Sequence, residues 1–157
     1  MERAIVTAVV HDMSEAKVTI SHVPDEPGIA ARLFRTLADE DVNVDMIVQN
    51  VSSEGVTDIS FTVPMSQLNG AVAAAHGLGI GQVSSDDSIG KISLIGAGMK
   101  SNPGVAAQMF ETLAENGINI QMLSTSGIRI SAIVDAARTE DAVGALHAAF
   151  ELDRPVS

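Results

Sequence analysis

The spacing of apolar residues switches period several times along the chain, and each switch marks an element. KVTISHV (17–23) and KISLIGAG (91–98) alternate apolar and polar positions, the period-two pattern of a strand with one buried face. Helical spacing follows each of them. Ile29, Leu33, Phe34 and Leu37 share one helix face, as do Val105, Met109, Phe110 and Leu113. Next come β-branched runs that read as strands, VNVDMIVQNVS and INIQMLSTS, then TDISFTV and RISAIVDA. MSQLNGAVAAAHG and TEDAVGALHAAFEL predict a second helix in each series, the latter with Thr139 as its N-cap. A short strand in GQVSSDD closes the first series. The order β-α-β-β-α-β predicts an α+β fold of ferredoxin-like type, an antiparallel sheet with two helices on one face.

The two series are copies of one module. With Pro27-Gly28 laid on Pro103-Gly104, Ala30, Ala31, Phe34, Thr36, Leu37, Ala38, Asn43 and Met46 meet identical residues at Ala106, Ala107, Phe110, Thr112, Leu113, Ala114, Asn119 and Met122, without a gap. The second copy stops early, since only DRPVS follows Leu152. RAIVTAVVHD (3–12), by contrast, precedes the first copy with no partner there. An open sheet edge invites unwanted pairing, so this segment is expected to supply the missing strand of the second module. The expected domains are residues 16–88 for module 1 and residues 1–15 plus 89–157 for module 2, with module 1 inserted in module 2.

Composition narrows the function. Apolar residues make up 46% of the 157, enough for packed cores, but there are only four Phe and no Trp or Tyr. The net charge of −11 opposes nucleic-acid binding, which draws on Lys and Arg to displace phosphate counterions. With no cysteine, thiolate chemistry and disulfides are excluded, as suits a cytoplasmic protein. The apolar run in MERAIVTAVVHD is too short for a signal peptide or a membrane span. His11, His22, His76 and His147 lack metal-ligand spacing, and GAGMKS breaks the phosphate-loop pattern at Met99. No catalytic residue, metal or cofactor is expected.

What remains is the paired Pro-Gly loop. Pro27 and Pro103 suit a first helical turn, where a missing N–H costs nothing, and the glycine lets a ligand approach the backbone. The N–H groups of Gly28, Ile29 and Ala30 would then face an anion at the helix start. Asn102 is a good cap for the second helix, whereas Glu26 is a poor one for the first, leaving those amides less satisfied. Copy one also carries Asp45 and Gln49 where copy two has Gln121 and Thr125. A carboxylate beside a helix start offers separate places for the ammonium and carboxylate of a free amino acid. The same residues also describe a plain helix start with Asp45 on the surface, and taken alone they leave both readings open.

PDEPGIAARLF, VNVDMIVQNVSS, GKISLIGAGMKSNPGV and INIQMLSTSGIRIS together resemble the paired ACT domains at the C-terminus of aspartate kinase, over nearly the whole chain. The resemblance implies a regulatory β subunit or fragment, without the catalytic domain that makes 4-phospho-L-aspartate from ATP and L-aspartate. It implies feedback inhibition of lysine, threonine and methionine biosynthesis by L-threonine, with L-lysine acting in concert, on a catalytic α subunit. It further implies a homodimer whose threonine sites take Asp25, Pro27, Gly28, Ile29, Ala30, Asp45 and Gln49 from one chain. Ile118, Asn119 and Ile120 come from the other. Ser52 and Thr62 fall in regions that such proteins use for lysine-linked inhibition. A stand-alone amino-acid sensor acting on another protein is the alternative.

Overall fold

The computed structural model describes residues 5–50, 54–97 and 102–152. Ser52, the end of the GAGMKS loop and the DRPVS tail lie outside the described residues. The elements run β1 (Ile5–Asp12), β2 (Glu15–Pro24), α1 (Ile29–Asp39), β3 (Ile47–Gln49), β4 (Val56–Pro64), α2 (Leu68–Leu78) and β5 (Gln82–Asp86). They continue with β6 (Ile89–Ala97), α3 (Pro103–Glu115), β7 (Met122–Thr125), β8 (Arg129–Asp135) and α4 (Thr139–Ala149). Two four-stranded sheets result, ordered β3-β4-β2-β5 and β7-β8-β6-β1, with every pairing antiparallel.

The chain divides into two compact units, Ser14–Asp87 and the chain on either side of it. In the second sheet β1 occupies the place that β5 holds in the first. It pairs with β6 from Asp12 opposite Lys91 to Ile5 opposite Ala97.

Each sheet buries one face against its own two helices. In the 14–87 unit, Val18, Ile20 and Val23 of β2 and Ile59, Phe61 and Val63 of β4 share a core with Leu33 and Leu37 of α1 and Ala71 and Ala75 of α2. Phe34 meets Phe61 edge to face, ring centroids 5.7 Å apart, the geometry that ring quadrupoles favour. The other unit repeats the plan with Ile92, Leu94, Ile130, Ala132 and Val134 against Val105, Met109, Leu113, Ala142 and Leu146. Small Ala residues on α2 and α4 bring those helices close to their sheets, and at Gly90 the approach is closest. A Cβ there would stand 2.0 Å from the Thr139 hydroxyl.

Thr139 corrects a sequence expectation. It is the first residue of α4 rather than its N-cap, it is buried, and its hydroxyl donates back to the Asp135 carbonyl at 3.3 Å. The short 3-10 turn Ala136–Arg138 already begins the winding, which moves Thr139 inside the helix.

Two substitutions test this packing. Phe61→Ala removes a fully buried ring and is expected to cost about 3–5 kcal/mol in denaturant unfolding. Gly90→Ala, which drives a methyl into Thr139, is expected to cost about 1–3 kcal/mol by the same measurement.

Candidate functional site

The site begins with a break in strand alternation. β2 pairs Ile20 with Ile59 and then Val23 with Thr57, so Ser21 and His22 together face Asp58. This is a β-bulge, with His22 at φ 59°. The His22 N–H donates to Asp58 Oδ1 at 3.2 Å. The extra residue turns Val23 into the core beside Ile20 and leaves Pro24, the last paired residue of β2, and Asp25 exposed. The sequence carries a trace of the bulge: period two sets His22 on the face of Val18 and Ile20, and the polar pair Ser21–His22 before Val23 breaks the regular alternation read over 17–23.

Beyond the bulge the chain reverses tightly. The Asp25 N–H donates to the Gly55 carbonyl at 3.0 Å, and the Ile29 N–H to the Glu26 carbonyl at 3.4 Å. Gly28 lies at φ 93°, ψ −14° with Pro27 before it, so residues 26–29 form a type II turn. Two sequence expectations are corrected here. Pro27 lies outside α1, which starts at Ile29, whereas Pro103 does occupy the first turn of α3. The Ile29 amide is also engaged by the turn, leaving Gly28, Ala30 and Ala31 as the amides of this helix start that take no backbone acceptor among the described residues. Asn102 stands at the N-cap of α3, but its side chain does not cap the helix.

A cavity of 330 Å³ opens at this turn, within the range that holds small ligands. Asp25, Pro27, Gly28, Ile29, Ala30 and Gln49 all line it, along with Val23, Pro24, Glu26 and Ile59. Gln49 reaches it because edge strand β3 sets Gln49 opposite Ile59. The cavity therefore offers free amides at a helix start, carboxylates at Asp25 and Glu26 and a side-chain amide at Gln49.

Asp45 is not among the lining residues. Its N–H donates to the Thr62 carbonyl at 2.9 Å, one strand-length before Gln49, about 13 Å away at the usual strand rise. Thr62 is wholly buried, and its hydroxyl accepts the Met46 N–H at 3.0 Å. In the other unit Ile118 is buried in the core, Asn119 is exposed and Ile120 packs partly buried at the core edge. That unit has its own cavity of 520 Å³ at the start of α3, lined by Asn102, Pro103, Ala106, Thr125, Ser126, Gly127 and Ile130. Among the described residues none of these is charged. Among the described residues no cluster of three or more His, Asp or Glu side chains is placed to hold a metal ion, and no helix is long and apolar enough to cross a membrane.

Comparison with known proteins gives this geometry a family. The ACT domain model matches residues 18–77 and 92–150. The aspartokinase of Mycolicibacterium smegmatis is 52% identical over 97% of this chain, and aspartate kinase Ask_LysC of Stutzerimonas stutzeri is 44% identical over 99% of it. The chain spans only 38% and 39% of those relatives' lengths. Among solved structures, the regulatory subunit of aspartate kinase from Thermus thermophilus superposes with a TM-score of 0.89 at 38% identity, covering 92% of this chain and 98% of that one. A structure of aspartokinase alpha and beta subunits gives 0.87 at 41% identity, covering 93% and 99%. With both modules matched and a whole regulatory subunit covered, the chain belongs to the ACT-domain family, as a regulatory, non-catalytic part of aspartate kinase.

Proposed function

We propose that this chain senses L-threonine and passes its binding to an aspartate kinase catalytic subunit as feedback inhibition, with L-lysine acting in concert, in the cytoplasm. The observation that carries the reading is the 330 Å³ cavity, where Asp25, the Gly28 and Ala30 amides and Gln49 meet. A free amino acid has three polar ends, and the cavity has a complement for each. The ligand carboxylate takes the amides at the start of α1, where the helix dipole favours negative charge. The ammonium takes Asp25, and the hydroxyl takes the Gln49 amide. Asp45 acts more remotely, through the position of β3.

The site is completed by the Ile118–Ile120 segment of a second copy, which makes the working form a homodimer with two equivalent sites. Asn119 supplies the side chain there, while Ile118 contributes backbone because its own side chain is buried. We read module 1 as an insertion within module 2, a reading supported by the β1–β6 pairing. Thr62 serves lysine-linked inhibition indirectly, by holding Met46, and Ser52 is proposed for the same role by resemblance alone. Coupling to the kinase requires only a modest preference of the ligand for one arrangement, typically about 1–3 kcal/mol.

Isothermal titration of the intact chain is expected to show threonine binding, and thermal unfolding should shift upward with threonine concentration. Heat with another amino acid and none with threonine would refute the assignment. Asp25→Ala and Gln49→Ala are expected to weaken binding about tenfold or more, as loss of a charged or buried polar partner does. Thr125→Ala and Asp45→Ala should change it less. Gly28→Ala forces a Cβ into the left-handed region and is expected to cost about 1–2 kcal/mol of stability as well as affinity. Added to the catalytic subunit, the chain should make aspartyl phosphate formation sensitive to threonine.

A further inference from the structure

We infer that Asp58, which does not line the cavity, is the positioning residue that holds both of its walls in register; the inference rests on the amino-acid-binding reading above. Asp58 sits in β4 between the two strands whose ends form the site. Its carboxylate accepts the His22 N–H at 3.2 Å, the amide that the bulge in β2 takes out of the regular ladder. Its backbone carbonyl accepts the Asn50 N–H at 3.0 Å, one residue beyond Gln49. The neighbouring Thr57 hydroxyl donates to the Asn50 carbonyl, so the end of β3 is held on both sides.

The bulge decides where the turn falls. Without it Val23 would point away from the core, and residues 24–28 would be displaced by one position relative to Gln49. A bulged amide left without an acceptor favours the regular ladder, and His22 at φ 59° adds its own strain. The Asp58 carboxylate opposes both tendencies. Packing from the other side supports it, since a Cβ on Gly81 would stand 2.5 Å from the Ser21 carbonyl. In the first module the bulge and the cavity with Asp25 and Gln49 lie at the same end of the sheet.

Amide hydrogen exchange and titration with L-threonine on the whole chain test this together. Asp58→Ala is expected to speed His22 amide exchange and to shift the amide resonances of the non-proline residues of 22–30 and of 49 and 50, leaving the rest of the spectrum in place. Threonine binding should weaken about fivefold, the worth of one partly exposed charge-assisted hydrogen bond. Asp58→Asn keeps an acceptor oxygen and should bind within about twofold of the parent. Equal loss in both variants, or faster His22 exchange with unchanged binding, overturns the positioning role. A parent protein that takes up no threonine refutes the functional reading instead, while the exchange and shift pattern still decides whether Asp58 holds the turn.

Discussion

The burial of Leu33 and Leu37 against β2 and β4 is the constraint on which the site depends. Both are fully buried beside Ile20, Ile59 and Phe61, and burying side chains of this size stabilises by about 1.5–3 kcal/mol each. That packing sets the axis of α1 across the sheet. Once the axis is set, the first turn of the helix must lie just beyond the ends of β2 and β3, and the amides at Gly28 and Ala30 open there. The cavity is thus a consequence of where a core helix begins.

The connection into α1 is short, and its reversal is accomplished by two local devices. The bulge at Ser21–His22 re-aims β2, and the type II turn at residues 26–29 starts the helix at Ile29 rather than at Pro27. Neither device is rigid alone. His22 to Asp58 ties the segment to β4, Asn50 to Asp58 ties the end of β3 to the same strand, and Asp25 to Gly55 ties the turn to the residue just before that strand. In the second copy Pro103 lies inside the first turn of α3, and among the described residues the cavity beside it has no charged lining side chain. Duplication supplied the scaffold twice, and the polar lining diverged.

Much of this architecture is legible in the residue pattern. The repeat, the strand and helix order and the apolar faces of α1 and α3 all follow from period-two and helical spacing, because each element must bury one face. The membership of Asp25, Gly28, Ala30 and Gln49 in one site was suggested by the resemblance, and the cavity gathers them. Asp45 was grouped with them because copy one carries it where copy two has Gln121, and by the resemblance. A difference between copies, however, does not measure distance along the chain. Thr139 was read as a cap from its residue type, but the preceding 3-10 turn draws it into the helix.

The sequence by itself determined the doubling of the module, the alternation that builds each sheet and the helix faces that cover it, since these depend on neighbours only a few residues apart. The tertiary structure alone decided which strand ends meet the start of α1. It also decided that Asp58 belongs to the site's support. Those outcomes depend on strand register between segments more than thirty residues apart, and a single bulge changes the face of every residue after it.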